Sequence, residues 1–226
     1  MTEQVRRLRI AVLGGAGKEG SGLALRWAHA GHHVVLGSRV AERAQAGADE
    51  INEVLGRKAV SGTDNKSAAE LGELIVLTVP YAAQRPLVEE VRDALKGKIL
   101  VDVTVPLMPP KVSRVQLPEG GSAVVAVQKL LGPDVRVVSA FQNISAHHLK
   151  HLGAKVDCDV LVCSDDKDAA ELVVTLAKEI GLGAWNAGVL ANSAVSEALT
   201  SVLIALNQRY KVPASGIRIT GVPRTD

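Results

Sequence analysis

The stretch Leu8-Arg9-Ile10-Ala11-Val12-Leu13-Gly14-Gly15-Ala16-Gly17-Lys18-Glu19-Gly20 decides the fold. Its apolar run predicts a buried strand, its glycines a tight turn, and the following residues a helix that ends at Gly31. Gly15, Gly17 and Gly20 occupy the three positions of G-x-G-x-x-G, which lets the backbone approach a pyrophosphate. The N-terminus of the helix adds free N–H groups and a positive dipole end. The stretch therefore predicts a dinucleotide-binding site, and a structural glycine turn is the alternative.

The strand after this helix indicates which dinucleotide binds. His33–Ser38 is apolar enough to be a buried parallel strand. In an NAD site a carboxylate usually ends this strand and holds the ribose hydroxyls, whereas here the strand ends in Ser38 and Arg39. Arg39 is able to pair with a 2′-phosphate, Ser38 to donate to it, and Arg43, one helical turn further on, to face it. The pattern favours NADP(H), and ordinary solvated arginines are the alternative.

Composition limits the class of protein. The 226 residues are 47% hydrophobic but only 2% aromatic, so the core must consist of aliphatic side chains. The net charge of +2 is dispersed, and no basic stripe with interleaved aromatic residues predicts nucleic-acid binding. No membrane span is expected, since no apolar run approaches the ~20 residues that a bilayer requires. The N-terminal nine residues lack a signal-peptide core, and Cys158 and Cys163 are too few for a disulfide framework; both observations favour the cytoplasm.

Strand and helix patterns alternate along the rest of the chain. Strands are predicted at 58–62, 74–79, 99–103, 135–140, 160–163 and 217–219, and helices at 40–55, 66–71, 83–95, 122–131, 168–180 and 191–210. This order predicts an α/β fold: a doubly wound parallel sheet, the Rossmann arrangement, extended by a small C-terminal α/β portion. Residues 1–131 would form the NADP-binding domain. Residues 132–226 would form the smaller portion, which completes the pocket for a second substrate.

Ligands of such sheets lie at the carboxyl ends of the strands. Beyond the glycine turn and Ser38-Arg39, three strand ends are expected to surround the nicotinamide and the second substrate. They are Val79-Pro80-Tyr81, Val103-Thr104-Val105-Pro106 and the segment that begins at Ala140. Gln142, Asn143 and Ser193 are candidates to orient polar edges of that substrate, and loop or helix-capping roles are the alternative.

Several motifs together resemble the reduced-F420:NADP+ oxidoreductases, also called NADPH-dependent F420 reductases. They are LGGAG at 13–17, GLALR at 22–26, LGSR at 36–39, VLTVP at 76–80, VVSA at 137–140, VLVCSDD at 160–166, NAG at 186–188, NS at 192–193 and EALT at 197–200. The resemblance covers nearly the whole chain. It implies a homodimeric soluble enzyme that passes hydride between NADPH and a 5-deazaflavin, coenzyme F420.

The resemblance also assigns residues. It implies NADP contacts at Ala16, Lys18, Glu19, Ser38, Arg39 and Arg43. It places the deazaflavin rings over the nicotinamide, near Pro80-Tyr81 and the segment after Ala140, with Ile144 as an apolar contact. Two positions depart from the family pattern: Gln142 stands where the family has a histidine, and Ser145 stands where it has a proline. Glutamine forms hydrogen bonds but carries no charge, so a different hydride acceptor is the alternative.

Other chemistries are less supported. His147 and His151 have the spacing of two metal ligands on one helix, but without an evident third ligand no metal site is predicted. No general acid or base is required for hydride transfer between two rings, so no catalytic side chain is assigned. Two alternatives to the deazaflavin reductase stay open: an NADP-dependent reductase of another small acceptor, and a non-enzymatic NADP-binding sensor.

Overall fold

The computed structural model describes residues 7–153 and 156–223. The prediction made for the first nine residues falls mostly on 1–6, which lie outside the described residues. Within the described ranges the chain forms an eight-stranded sheet flanked on both sides by helices. This confirms the predicted α/β class and the doubly wound arrangement.

The strands lie side by side in the order β3-β2-β1-β4-β5-β6-β7-β8. The first six of them pair in parallel, and the chain crosses back over the sheet between β3 and β4, as in a dinucleotide-binding fold. Their bounds are β1 Arg9–Leu13, β2 His33–Ser38, β3 Val60–Asp64, β4 Leu74–Leu77, β5 Ile99–Asp102, β6 Arg136–Ser139, β7 Asp159–Ser164 and β8 Gly183–Asn186.

The helices pack in two layers, one on each face of the sheet. One layer forms a core around Trp27, Leu23 and Leu36, and the other around Leu87 and Leu100. The helices are α1 Lys18–Ala30, α2 Ala41–Leu55, α3 Asn65–Leu71, α4 Tyr81–Leu95, α5 Ala123–Leu131, α6 Ala146–Leu149, α7 Lys167–Glu179 and α8 Ser193–Tyr210, with a 3₁₀ turn at Leu190–Asn192.

The C-terminal part differs from the sequence prediction in three ways. Strand β7 runs antiparallel to β6, because the chain after β6 does not return to the amino edge of the sheet before β7 begins. Strand β8 is not among the predicted elements. The predicted strand at 217–219 is wrong: this segment is irregular, and it is attached to β7 through Asp159, whose N–H donates to the Ile217 carbonyl and whose carboxylate accepts from the Ile219 N–H.

Helix α8 has an unusually apolar exposed side. Four apolar side chains lie on one face of the helix at successive spacings of seven, four and four residues, and each is more than a third exposed. They are Val195, Val202, Leu206 and Tyr210. With the preceding 3₁₀ turn, Leu190–Tyr210 is also long and apolar enough to cross a membrane by length and composition alone. One helix of this kind among the described residues is weak evidence for a membrane span, because core helices of soluble proteins can have the same length and apolar composition.

Candidate cofactor-binding site

The ends of the central strands lie in one row across the sheet. Leu13 of β1 pairs in register with Gly37 of β2 and with Leu77 of β4, Leu77 pairs with Asp102 of β5, and Asp102 pairs with Ser139 of β6. The residues that follow these positions are therefore neighbours along the carboxyl edge. The register brings the predicted nucleotide residues and the predicted second-substrate residues to the same edge.

The glycine turn packs too tightly for side chains. Gly14 has a φ of 74°, and a Cβ there would lie 2.5 Å from Val79 Cγ1. A Cβ on Gly20 would lie 2.5 Å from Thr78 Oγ1 and 2.8 Å from the Cα of Gly15. Thr78 in turn donates its hydroxyl to the Leu13 carbonyl at 2.8 Å and so joins the ends of β1 and β4 below the turn. The close packing brings the start of α1 directly over the strand ends.

The start of α1 has unused hydrogen-bond donors. Gly17 is the N-cap residue and has no side chain to accept a bond from the first turn. The N–H groups of Gly15 and Gly17 are bonded to carbonyls within the fold, whereas those of Ala16, Lys18 and Glu19 have no partner among the described residues. These donors and the positive end of the helix dipole make the turn an anion site, which fits a dinucleotide diphosphate.

The end of β2 presents two unpaired cations. Ser38 is half-buried, whereas Arg39 and Arg43 are exposed, and neither guanidinium forms a hydrogen bond or ion pair with a described residue. Ser38 pairs in register with Asp64, but that carboxylate is occupied by Ser67, whose N–H and hydroxyl donate to it. The two arginines are therefore available for a phosphate at the adenosine end of a nucleotide.

A strained residue, Phe141, lies two positions after the end of β6 and directs the next side chain. Phe141 has a φ of 72°, a conformation uncommon for a bulky L-residue. It is fully buried, and its ring meets Trp27 edge to face at a centroid distance of 5.7 Å. This packing offsets the cost of the strained backbone. It fixes the direction of the segment that starts at Gln142.

The orientation of the Gln142 amide is determined by its partner. Its Nε2 donates to the backbone carbonyl of Asp102 at 2.8 Å, and because a carbonyl only accepts, the nitrogen must face it. Gln142 Oε1 is enclosed and has no partner. The Gln142 carbonyl accepts from the Thr200 hydroxyl at 2.7 Å, so α8 holds the same residue from the other side.

The other predicted second-substrate residues are also enclosed. Asn143 donates its amide to the Asp159 carbonyl at 2.7 Å, which leaves its Oδ1 without a partner. Ile144 is buried, and Ser193 is fully buried beside Ser122 at 2.7 Å. Among the residues expected near the nicotinamide, Ala140 is buried, Val79 and Tyr81 are half-buried, and Pro80 is exposed as the N-cap residue of α4. The structure gathers these residues at one edge; their ligand contacts stay a prediction.

A buried carboxyl supports the floor of this region. Asp102 is fully buried at the end of β5, and its carboxylate accepts from Gln84 Nε2 at 2.6 Å and from the Thr104 N–H at 2.9 Å. Burial raises the pKa of Asp102, and these hydrogen bonds oppose the rise. Asp102 thereby links α4, β5 and Gln142. No sequence motif reveals this link, because Gln84 lies 18 residues from Asp102.

Helix α8 caps another helix with a carboxylate. Glu197 is buried and accepts from Ser122 Oγ at 2.6 Å and from the N–H groups of Ala123 and Val124 at 2.8 and 3.3 Å. These are the first N–H groups of α5, which follows the long irregular loop. Burial raises the pKa of Glu197, while the three donors oppose the rise. The arrangement anchors the end of the loop to α8.

Arg26 joins the nucleotide-binding helix to α6. Its guanidinium is buried and donates to the carbonyls of His148, Leu149, His151 and Ile180, all at 2.8 to 2.9 Å. The histidine rings nearby stack edge to face, with His147 5.7 Å from both His148 and His151. Within the described residues, no three histidine, cysteine or acidic side chains lie close enough together to hold a metal ion.

The strand–glycine turn–helix unit at the crossover of a doubly wound sheet, with two exposed arginines after β2, defines a dinucleotide-binding protein of the Rossmann class. Comparison with known sequences narrows this class. Residues 9–106 match the family described as NADP oxidoreductase, coenzyme F420-dependent.

Two relatives and one solved structure are similar over nearly their whole length. The F420-dependent NADP reductase of Methanothermobacter thermautotrophicus is 42% identical, over 99% of both chains. That of Methanocaldococcus jannaschii is 40% identical, over 95% of this chain and 99% of its own. A solved structure from Arthrobacter sp. FB24, provisionally named an F420-dependent NADP reductase, has a TM-score of 0.78 at 26% identity and covers 94% of this chain and 99% of its own. The chain belongs to the F420-dependent NADP reductase family.

Proposed function

We propose that this protein transfers a hydride between NADPH and the 5-deazaflavin coenzyme F420. The observation that carries the proposal is the full-length match to F420-dependent NADP reductases at about 40% identity. The geometry supports the NADP half independently, because the anion site at the glycine turn follows β1, and the exposed residues Arg39 and Arg43 follow the neighbouring strand β2, Arg43 from the first turn of α2.

The nucleotide half has a defined set of contacts in this proposal. The N–H groups of Ala16, Lys18 and Glu19 bind the diphosphate, and the close approach at Gly15, Gly17 and Gly20 makes room for it. Ser38, Arg39 and Arg43 bind the 2′-phosphate that distinguishes NADP from NAD. Residues 1–131 therefore hold NADP(H), and residues 132–226 complete the pocket for the deazaflavin.

The second half positions the acceptor ring. Val79, Pro80, Tyr81 and Ala140 border the nicotinamide at the ends of β4 and β6, and Ile144 packs against the deazaflavin. Gln142, Asn143 and Ser193 support its polar edge. The strained Phe141 and the Asp102–Gln142 and Thr200–Gln142 hydrogen bonds hold this segment rigid, which limits the motion of any ring that rests on it.

Hydride transfer between the two rings depends on their alignment and needs no proton transfer by a side chain. NADPH, when bound, supplies the hydride, and this chain aligns the two rings and excludes water from between them. No side chain is assigned as a general acid or base. The aliphatic lining from Val79, Ala140 and Ile144 favours a dry contact between the rings.

Mixing the purified protein with NADPH and coenzyme F420, and following the absorbance of the deazaflavin, tests the proposal. We expect rapid bleaching with F420 and none with flavin mononucleotide at the same concentration. Bleaching would also show that Gln142 is compatible with a deazaflavin. Tight NADPH binding without bleaching would support the assignment of NADP(H) but contradict the assignment of F420 as the acceptor. The protein would then be a reductase of another small acceptor or a non-enzymatic NADP-binding sensor.

A matched variant tests the NADP assignment. Arg39→Ala removes an exposed guanidinium that has no partner among the described residues, so it should leave the fold unchanged. We expect NADPH to bind about 10- to 100-fold more weakly and NADH to bind as before, since a charge-assisted pair contributes about 1.5–3 kcal/mol. Arg92→Ala, an exposed arginine near the end of α4, is the control and should change neither affinity. Equal losses for NADPH and NADH would contradict a 2′-phosphate contact.

We further propose that the enzyme is a cytoplasmic homodimer. Val195, Val202, Leu206 and Tyr210 give α8 an apolar face that is exposed in the single chain, and such a face requires a partner. A membrane is the other occupant that the composition of α8 would permit. Sedimentation of the purified protein without detergent distinguishes the two: a soluble dimer that Leu206→Glu converts to a monomer supports the proposal, and a requirement for detergent rejects it.

A further inference from the structure

The C-terminal segment 215–219 lies alongside Asp159, the first residue of β7, in the manner of an unfinished parallel strand. The Asp159 N–H donates to the Ile217 carbonyl at 2.8 Å, as in a regular parallel ladder. The next bond of such a ladder would run from the Ile219 N–H to the Asp159 carbonyl. Here the Ile219 N–H donates to the Asp159 carboxylate instead, at 2.7 Å. The side chain of Asp159 therefore stands in for its own carbonyl.

The carbonyl of Asp159 binds a residue of the candidate second-substrate segment. Asn143 Nδ2 donates to it at 2.7 Å, and both residues are buried. The Asn143 amide thus takes the ladder position that the Ile219 N–H would otherwise occupy. This exchange of partners also explains why 217–219 does not form the strand that its sequence predicts.

The Asp159 carboxylate is held from two sides. Trp185 Nε1, on β8, donates to the same oxygen as Ile219, at 3.0 Å. Arg218 Nε lies 3.9 Å from the other carboxylate oxygen, and the Arg218 guanidinium forms an ion pair with Asp157. A carboxylate fixed in this way remains directed at the C-terminal segment, so the carbonyl stays available to Asn143.

A second contact joins the C-terminal segment to Asn143. A Cβ on Gly216 would lie 2.6 Å from Cys158 Sγ, which itself lies 3.4 Å from Asn143 Nδ2. The segment is also attached to α8, because the Ser215 N–H donates to Asn207 Oδ1 at 2.7 Å. The residues that hold Asn143 are therefore enclosed between β7, α8 and the C-terminal segment.

We propose that Asp159 is a positioning residue of the second-substrate pocket. Its carboxylate binds the Ile219 N–H, which leaves the Asp159 carbonyl to hold the side chain of Asn143 and so to fix the segment that begins at Gln142. Without the carboxylate, the Ile219 N–H competes with Asn143 for that carbonyl. The inference rests on the proposed function, because it concerns the binding of the deazaflavin to this segment.

The test compares the two substrates. Steady-state reduction of F420 by NADPH gives the KM for F420, and titration without F420 gives the Kd of NADPH. Asp159→Ala should raise the KM for F420 about three- to tenfold, as expected for the loss of one hydrogen bond. The Kd of NADPH should not change, since the proposed nucleotide contacts follow β1 and β2.

Two further variants separate the accepting oxygen from the charge. Asp159→Asn keeps an oxygen that accepts from the Ile219 N–H, so its KM for F420 should be close to that of the wild type. Asp157→Ala is the matched control, because Asp157 is exposed and binds Arg218 of the same C-terminal segment. It should change neither constant.

A double variant tests whether Asp159 acts through Asn143. Asn143→Ala and Asp159→Ala remove the same hydrogen bond, so together they should raise the KM for F420 no further than the larger single effect. Circular dichroism melting verifies the fold of each variant. If Asp159→Ala does not fold, Asp159→Ser takes its place with the same expected results, because its hydroxyl is too short to replace the carboxylate.

The outcomes distinguish this inference from the proposed function. With an active wild type, an unchanged KM for F420 in Asp159→Ala would overturn the inference. A matching loss of NADPH affinity would also overturn it, because Asp159 would then support the fold in general, and so would additive effects of the two substitutions. A wild type that does not reduce F420 would reject the proposed function and this inference with it.

Discussion

Gly22 of α1 and Leu149 of α6 are in direct backbone-to-side-chain contact: a Cβ on Gly22 would lie 2.6 Å from Leu149 Cβ. The two helices otherwise share the Arg26 hydrogen bonds to the α6 segment. The helix that would hold the diphosphate is thereby packed against the segment that follows the candidate second-substrate residues. The close approach needs a residue without a side chain, and this explains a glycine in the interior of a helix.

Gly22→Ala should destabilise the protein, whereas the same change at Gly47 should stabilise it. The added methyl at position 22 forces α1 and α6 apart, and overpacking of this kind costs about 1–3 kcal/mol. Gly47 lies inside α2, and its nearest contact, Leu36 Cδ1 at 3.5 Å, is an ordinary one, so alanine should add about 0.5–1 kcal/mol of stability. Urea unfolding of both variants measures the difference. Two changes of the same sign would contradict the close contact.

Glu197→Ala should be strongly destabilising. It leaves the buried N–H groups of Ala123 and Val124 and the Ser122 hydroxyl without their acceptor, at a cost of about 3–4 kcal/mol in the free energy of unfolding. Glu197→Gln retains one acceptor oxygen and should cost about half as much. Glu89→Ala, which breaks the exposed ion pair with Arg85, is the control and should cost at most about 0.5 kcal/mol. The capping role fails if Glu197→Ala unfolds at the same urea concentration as the control.

The sequence predicts the first strand, turn and helix well because their signals are local. The strand, turn and helix from Arg9 to Ala30 follow one another in the chain, and the glycines report the turn geometry directly. Arg39 and Arg43 are placed by the end of a single strand. Both arginines are exposed, so their accessibility to a ligand was predictable without knowing which distant residues pack nearby.

The second half is less predictable because its contacts are distant in sequence. Gln142 lies 40 residues from the Asp102 carbonyl that orients its amide, and Glu197 lies 74 residues from the Ala123 N–H that it caps. No periodicity reports such pairs. The reversal of β7 and the irregular course of 217–219 have the same origin, because strand direction and edge pairing depend on how the chain packs.

Removal of the Arg26 guanidinium should loosen the α6 segment without unfolding the sheet. Arg26→Ala leaves the carbonyls of His148, Leu149, His151 and Ile180 without a common donor. Amide hydrogen exchange in residues 146–153 should become at least about tenfold faster, because the buried hydrogen bonds contribute about 1.5–3 kcal/mol or more. Arg26→Lys should give an intermediate rate, since one ammonium cannot replace the planar fork. Uniform acceleration over the whole chain would instead indicate global destabilisation.

The stability of the cofactor-free protein should depend on pH through Glu19. Its pKa is raised from 4.5 to about 8 in the folded state, so the folded protein binds more protons than the unfolded chain between these values. Stability is therefore highest below pH 4.5 with respect to this group, falls as the pH rises towards 8, and is constant above 8. Asp102 and Glu197, whose pKa values burial also raises, contribute in the same direction.

Comparison with Glu19→Gln isolates this contribution, because Asp102 and Glu197 are unchanged in the variant. The difference in the free energy of unfolding between Glu19→Gln and wild type should increase in favour of the variant by about 2–4 kcal/mol from pH 5 to pH 8. Urea unfolding at half-unit pH intervals measures it. A difference that stays constant over this range would mean that Glu19 is ionised in the folded protein at neutral pH, and that burial does not raise its pKa as described.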